Sequence, residues 1–164
     1  MVTSSAPTSR GPVPSVSRRL DMSGHLANPC ELLAKDDLTA LGFRGGYVVV
    51  PPRPDDVDRT CEIGGGSAGG TLEVTLLLDS SPLPAAYATT PDKYEFFRAI
   101  QVAGFPAVEL GVTEVAPIAC EVSVGTGDQQ GFTLHQGPGI SGSAEEACGR
   151  LAVAAQAVMR RLGA

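Results

Sequence analysis

SAEEACGRLAVAAQAVMRRL, residues 143–162, carries helix signals from end to end. Ser143 and Glu146 form an S-x-x-E capping box, which satisfies two of the orphan amides at a helix start. Cys148, Leu151, Ala155, Val158 and Leu162 then recur at steps of three and four and line one buried face. Arg160 and Arg161 suit the negative end of the helix dipole, and Gly163 stops the helix. Cys148 sits on the apolar stripe, so its sulfur points into the core, where the partner of this helix must supply another sulfur or a packed contact.

Three further cysteines, Cys30, Cys61 and Cys120, complete an even set with no C-x-x-C pair. That spacing speaks against a zinc ribbon or a thioredoxin-like motif and for two long-range disulfides, which persist outside the cytosol. The plain alternative is four buried thiols, since free cysteine is a common core residue. Three pairings are open to four cysteines. With two cysteines on terminal helices and two on strands, the expected pairing is Cys30–Cys148 and Cys61–Cys120. The first would close nearly the whole domain into one loop, worth about 5 kcal/mol of chain entropy.

The strands follow from alternation. Tyr47-Val48-Val49-Val50, bounded by Gly45-Gly46 and Pro51-Pro52, reads as a short edge strand. Cys61 and Ile63 start a second strand. After the glycine-rich turn Gly64 to Gly70, Leu72, Val74, Leu76 and Leu78 alternate with polar residues as its hairpin partner. Ser80 to Thr90 reads as a loop, and Thr90-Pro91-Asp92 as the start of a helix through about Phe97, although Tyr94, Phe96, Arg98 and Ile100 also fit period two. Ile100 and Val102 pair through Ala103-Gly104 with Val108, Leu110 and Val112. Cys120, Val122 and Val124 pair with Phe132 and Leu134 across the hairpin loop Gly125 to Gly131.

Asn28-Pro29-Cys30-Glu31 opens an N-terminal helix ended by Gly42, whose inner face carries Cys30, Leu33, Leu38 and Leu41; the pattern reads either as one helix or, with a break near Ala34, as a single turn followed by a second short helix. The expected fold is α+β, a mainly antiparallel β-sheet packed by N-terminal and C-terminal helices and stapled by the two disulfides. Residues 1–19 form a disordered Ser/Pro-rich tether and residues 20–164 a single domain.

Net charge is −6, and from Leu20 onward nine basic groups face eighteen acidic ones. A body at −9 repels nucleic acid and anionic membrane surfaces, so neither is an expected partner. No apolar run reaches the length of a transmembrane span.

L-D-x-S-G, N-P-C-E-L-L, A-L-G-F, V-A-G-F-P-A-V, C-E-V and A-C-x-R-L-A follow one another through residues 20–162 and include all four cysteines. In that order they resemble a family of actinobacterial secreted lipoproteins with no assigned activity. The resemblance implies an extracytoplasmic place in the cell envelope, with a signal peptide and a lipidated cysteine ahead of residue 1. Members often carry an aromatic residue two positions after the second cysteine, where this chain has Ile63.

Candidate chemistry is sparse. Gly137-Pro138-Gly139-Ile140-Ser141-Gly142 is a G-x-G-x-x-G between a strand and a helix, but no second parallel strand or ribose-binding acid follows. Gly139-Ile140-Ser141-Gly142-Ser143 nearly matches a nucleophile elbow, yet the last glycine is replaced and both histidines, His25 and His135, precede the serine. A secreted serine hydrolase using Ser141, His135 and Asp128 is the enzymatic alternative. Asp55, Asp56 and Asp58 lack calcium-loop spacing and read as a solvated loop. No cofactor and no metal are expected, since two scattered histidines make a poor zinc site.

Tyr87, Tyr94, Phe96, Phe97 and Phe105 gather five of the eight aromatics within nineteen residues. They read either as a second core cluster or as an apolar binding groove. The leading functional expectation is a non-catalytic, lipid-anchored envelope module that binds an apolar small molecule, a lipid or an envelope protein at these five residues. A third reading is an accessory subunit of an envelope or secretion complex.

Overall fold

The computed structural model describes residues 10–51, 54–64, 70–89, 94, 96–111, 120–137 and 143–164. Seven strands form one antiparallel sheet: β1 (Tyr47–Val50), β2 (Arg59–Gly64), β3 (Thr71–Leu77), β4 (Phe96–Val102), β5 (Phe105–Gly111), β6 (Cys120–Gly127) and β7 (Gln130–Gln136). Their order is β1-β2-β3-β7-β6-β5-β4. Three hairpins, β2-β3, β4-β5 and β6-β7, account for most of it, and the last hairpin inserts between the other two. The expected α+β architecture is therefore present.

The C-terminal helix α3 (Ala144–Arg161) packs across β4 to β7. Its capping box is formed on both sides: Glu146 N donates to Ser143 Oγ at 3.1 Å, and Ser143 N to Glu146 Oε2 at 2.9 Å. Cys148, Leu151, Ala155 and Val158 are fully buried against Val122, Val124, Phe132 and Leu134 in one continuous core. At the other end of the sheet a 3₁₀ turn (Pro29–Leu32) covers β1 to β3, and the short helix α1 (Lys35–Ala40) packs beside α3. Ala34 is extended between them, so of the two readings of this segment the broken helix is the one that forms.

The disulfides depart from the expected pairing. Cys30 bonds Cys61 and Cys120 bonds Cys148, with Cα–Cα distances of 5.1 and 5.3 Å. Cys61 on β2 and Cys120 on β6 are separated by β3 and β7, three strand spacings or roughly 14 Å. A disulfide spans less than about 7 Å between Cα atoms, so Cys61–Cys120 is excluded. Each helical segment is instead stapled to the strand beneath it. These disulfides, with no described helix long and apolar enough to cross a membrane, are consistent with an extracytoplasmic protein.

Three local expectations also change. The segment read as a loop over Ser80 to Thr90 contains the helix α2 (Leu83–Ala88), opened by Pro82. It seats on the face of the sheet opposite α3, where Gly125 leaves room: a Cβ there would lie 2.7 Å from Leu83 Cδ1. The helix expected to run through Phe97 gives way to β4, which begins at Phe96 and follows the period-two pattern; residues 90–93 and 95 lie outside the described residues. Ala103 and Gly104 both have positive φ, 50° and 82°, as a two-residue type I′ hairpin turn requires. The β6-β7 loop is shorter than expected, since the strands continue to Gly127 and resume at Gln130.

Candidate functional site

A cleft of about 1140 Å³ opens between the N-terminal helical segments, the Phe43–Gly46 turn and the end of α3. The turn at Pro29–Leu32 and α1 are separate pieces joined through extended Ala34, and residues from both sides of that join line the cleft. Leu33, Leu38, Phe43 and Cys30, buried in the core, form the floor, and the lining is more apolar than polar. Lys35, Arg44, Arg161 and Glu31 stand exposed around the rim.

His25 lines the same cleft, and its Nδ1 is buried without a partner. An unmade hydrogen bond on a buried nitrogen costs about 1–3 kcal/mol. One wall is held by backbone pairing that prolongs the β1-β2 ladder, with Gly45 N donating to Gly64 O and Gly64 N to Gly46 O, each at 3.0 Å. The Cys30–Cys61 disulfide lies behind the floor and fixes the helical layer to β2.

The five aromatics expected to form a groove divide between the two faces of the sheet. Phe97 meets Tyr87 edge-to-face with ring centres 5.1 Å apart, and with Tyr94 they flank a small second core of Leu83, Ala86, Val108 and Leu110 beside α2. Phe96 and Phe105 lie on the opposite face, under α3. Phe96 covers Gly111 across the β4-β5 pair, where a Cβ would run into its ring. Arginines stack on three of them: Arg10 on Phe97 at 4.4 Å, Arg18 on Phe105 at 5.3 Å and Arg98 on Phe96 at 4.9 Å. Arg10 also donates to the carbonyls of Ala86 and Thr89 at the end of α2. None of the five aromatics lines the large cleft.

The sheet face opposite α3 carries a different group of residues. Strand register aligns Glu62, Glu73, His135 and Glu121 in one transverse row and Thr60, Thr75, Thr133 and Ser123 in the next. Several of them pair with one another. Ser123 Oγ donates to Glu121 Oε1 at 2.8 Å, His135 Nε2 lies 3.2 Å from Thr133 Oγ1, and Thr60 and Thr75 hydroxyls are 3.0 Å apart. His135 Nδ1 stands 3.8 Å from Glu121 Oε2. Burial, with Glu121 nearby, pushes the Tyr94 phenol above its ordinary range.

Asp128 is exposed in the turn at the opposite end of β7 from His135, seven residues and roughly 20 Å away along extended chain, so the two do not pair. Ser141, like most of the Gly137–Gly142 motif, lies outside the described residues. Asp56 and Asp58 border a shallow recess with Thr60, Glu62 and Glu73. Burial, and then Asp56, push the Asp58 carboxyl above the usual carboxylate range. Among the described residues no three His, Cys, Asp or Glu side chains are grouped to hold a metal ion.

Glu109, a buried carboxylate under α3, is held by Arg98 at 3.1 Å, and Arg98 reaches on to Glu145 at 2.9 Å. Burial pushes the Glu109 carboxyl up, and Arg98 opposes the shift without cancelling it. The folded protein therefore holds this proton more tightly than the unfolded chain. Its stabilising effect is full below the unfolded pKa and is lost as pH rises through the folded value. Glu109→Gln is expected to remove that decline. Urea midpoints taken from about pH 4 to about pH 7 should show the variant gaining on the wild type as pH rises, and parallel curves would refute this assignment.

The cleft was not legible from sequence, because its walls come from residues 25–46 and from Arg161 at the far end of the chain. The nearest signal was the break at Ala34. Ile63, where the resembling family often has an aromatic, is buried in the core and does not line the cleft.

Residues 2–161 match the family described as protein of unknown function (DUF3558), and the chain belongs to that family. No curated protein and no solved structure matches it.

Proposed function

For this member of the DUF3558 family we propose a non-catalytic binding role, in which an apolar or amphipathic small molecule sits in the cleft between the N-terminal helical segments and the end of α3. The observation that carries the reading is a cleft of about 1140 Å³ with an apolar floor and a few polar groups at its rim. Small-molecule sites have this composition and typically about 300–1,000 Å³ of volume. The ligand class is the one expected from the sequence. Its seat moves from the aromatics to the cleft because Phe97 and Tyr87 pack on α2 while Phe96 and Phe105 lie on the other face of the sheet.

Attachment to an actinobacterial envelope through a lipid ahead of residue 1 belongs to the same reading and rests on the resemblance of residues 20–162. The two disulfides support an extracytoplasmic setting, since they keep the cleft's scaffold closed where thiols are oxidised.

Native mass spectrometry of the unreduced protein, purified from its host envelope, tests the role. A bound mass that leaves on denaturation is the expected result and gives the ligand's composition. A bare chain that also takes up no lipid when offered a host lipid extract would sink the reading.

A further inference from the structure

From the charges around the cleft we infer that its ligand is an amphiphile with an anionic head, a carboxylate or phosphate, held at the rim by Arg44, Arg161 and Lys35. This assignment rests on the cleft being the binding seat.

The body of the protein is strongly acidic, yet three of its nine basic residues line this one opening, against Glu31 as the one carboxylate among the described lining residues. More telling is what those three lack. Among the described residues the other arginines are engaged: Arg10 and Arg18 stack on aromatic rings, Arg98 and Arg160 pair with carboxylates, and Arg19, Arg59 and Arg150 donate to oxygen acceptors. Among the same residues, Lys35, Arg44 and Arg161 have no ion pair and no hydrogen-bonded side-chain partner.

Chain position does not explain this. Arg160 and Arg161 are neighbours on the last turn of α3. Arg160 lies 3.8 Å from Asp37, while Arg161 turns to the cleft. Lys35 is followed by Asp36 and Asp37 and pairs with neither. Cations gathered beside apolar surface repel one another, and an anion seated among them relieves the repulsion. His25, with its unpartnered Nδ1, lines the same cleft and adds a group able to donate to such an anion. An apolar floor with cations at its edge matches a chain buried inward and an acidic head facing out, the geometry in which guanidinium groups grip carboxylate or phosphate oxygens.

Three probes that share a sixteen-carbon chain separate head from tail. Palmitate, palmitoyl lysophosphatidylglycerol and hexadecanol are titrated below their aggregation limits into the full chain, followed by calorimetry or by displacement of a fluorescent apolar probe. At least one of the two anionic lipids is expected to bind about tenfold more tightly than the alcohol. Which one binds tells carboxylate from phosphate. In Arg44→Ala/Arg161→Ala, both exposed positions, that advantage is expected to vanish, the preferred anionic lipid falling to the affinity of hexadecanol.

Equal affinity of both anionic lipids and the alcohol in the wild type would overturn the anionic head and leave the cleft reading intact. Failure of all three probes to bind would overturn both. An advantage that survives in the double variant would remove the assignment to these arginines, and circular dichroism of the variant guards against misreading a folding defect.

Discussion

Replacing Cys120 and Cys148 together by alanine is expected to cost about 2–4 kcal/mol and to lower the melting temperature by about 10 °C. The bond closes a separation of 28 residues, for which the chain-entropy model gives about 3.5 kcal/mol. Both residues are fully buried, so the substitution also removes packed sulfur between β6 and the first turns of α3. Without the bond α3 retains Leu151, Ala155 and Val158 on the sheet, and the unfolded chain gains the freedom that the crosslink withholds. Differential scanning calorimetry reads the change. The pairing itself is checked by digesting the unreduced protein, which should release the Cys30 peptide joined to that of Cys61. A Cys30 peptide joined to that of Cys148 would refute the topology.

Phe132→Ala is expected to be at least as damaging, at about 3–5 kcal/mol. Phe132 is fully buried on β7, the central strand of the sheet, with Leu76 opposite it on β3 and Val124 on β6. Shortening it opens a cavity at the junction of the two hairpins and the helical layer, and strands paired on both sides cannot close in to fill it. A domain of this size is stable by only about 5–15 kcal/mol, so a large part of the total is at stake. Val153→Ala on α3 is the matched control: Val153 is 56% exposed, and its truncation should fall within about 0.5 kcal/mol of zero. Urea denaturation of both variants decides the matter, and similar midpoints would mean that the core is not centred on β7.

These two variants also divide the energetics of the fold. Phe132 probes a contact between elements remote in sequence, and the cysteine pair probes a crosslink whose effect lies mainly in the unfolded state. None of these three residues lines the cleft.

Elements whose own residues specify them could be read in advance. α3 lies within one residue of its expected ends because its cap, apolar stripe and terminal glycine are all local signals. β2, β3, β6 and β7 follow from alternation, since one face of each strand meets the core. Where local signals compete, tertiary contact decides. Tyr94 to Ile100 fit both helix and strand, and pairing of Phe96 with Gly111 and Phe97 with Leu110 selects the strand. α2 has six residues and too few turns to show a period, and it forms where Leu83 and Ala86 find the small core on the sheet. The disulfide pairing depends on strand order, which inserts β7 beside β3 and sets Cys61 and Cys120 apart, a long-range fact absent from any one segment. The cleft depends on the same order, because only folding brings residues 25–46 beside Arg161.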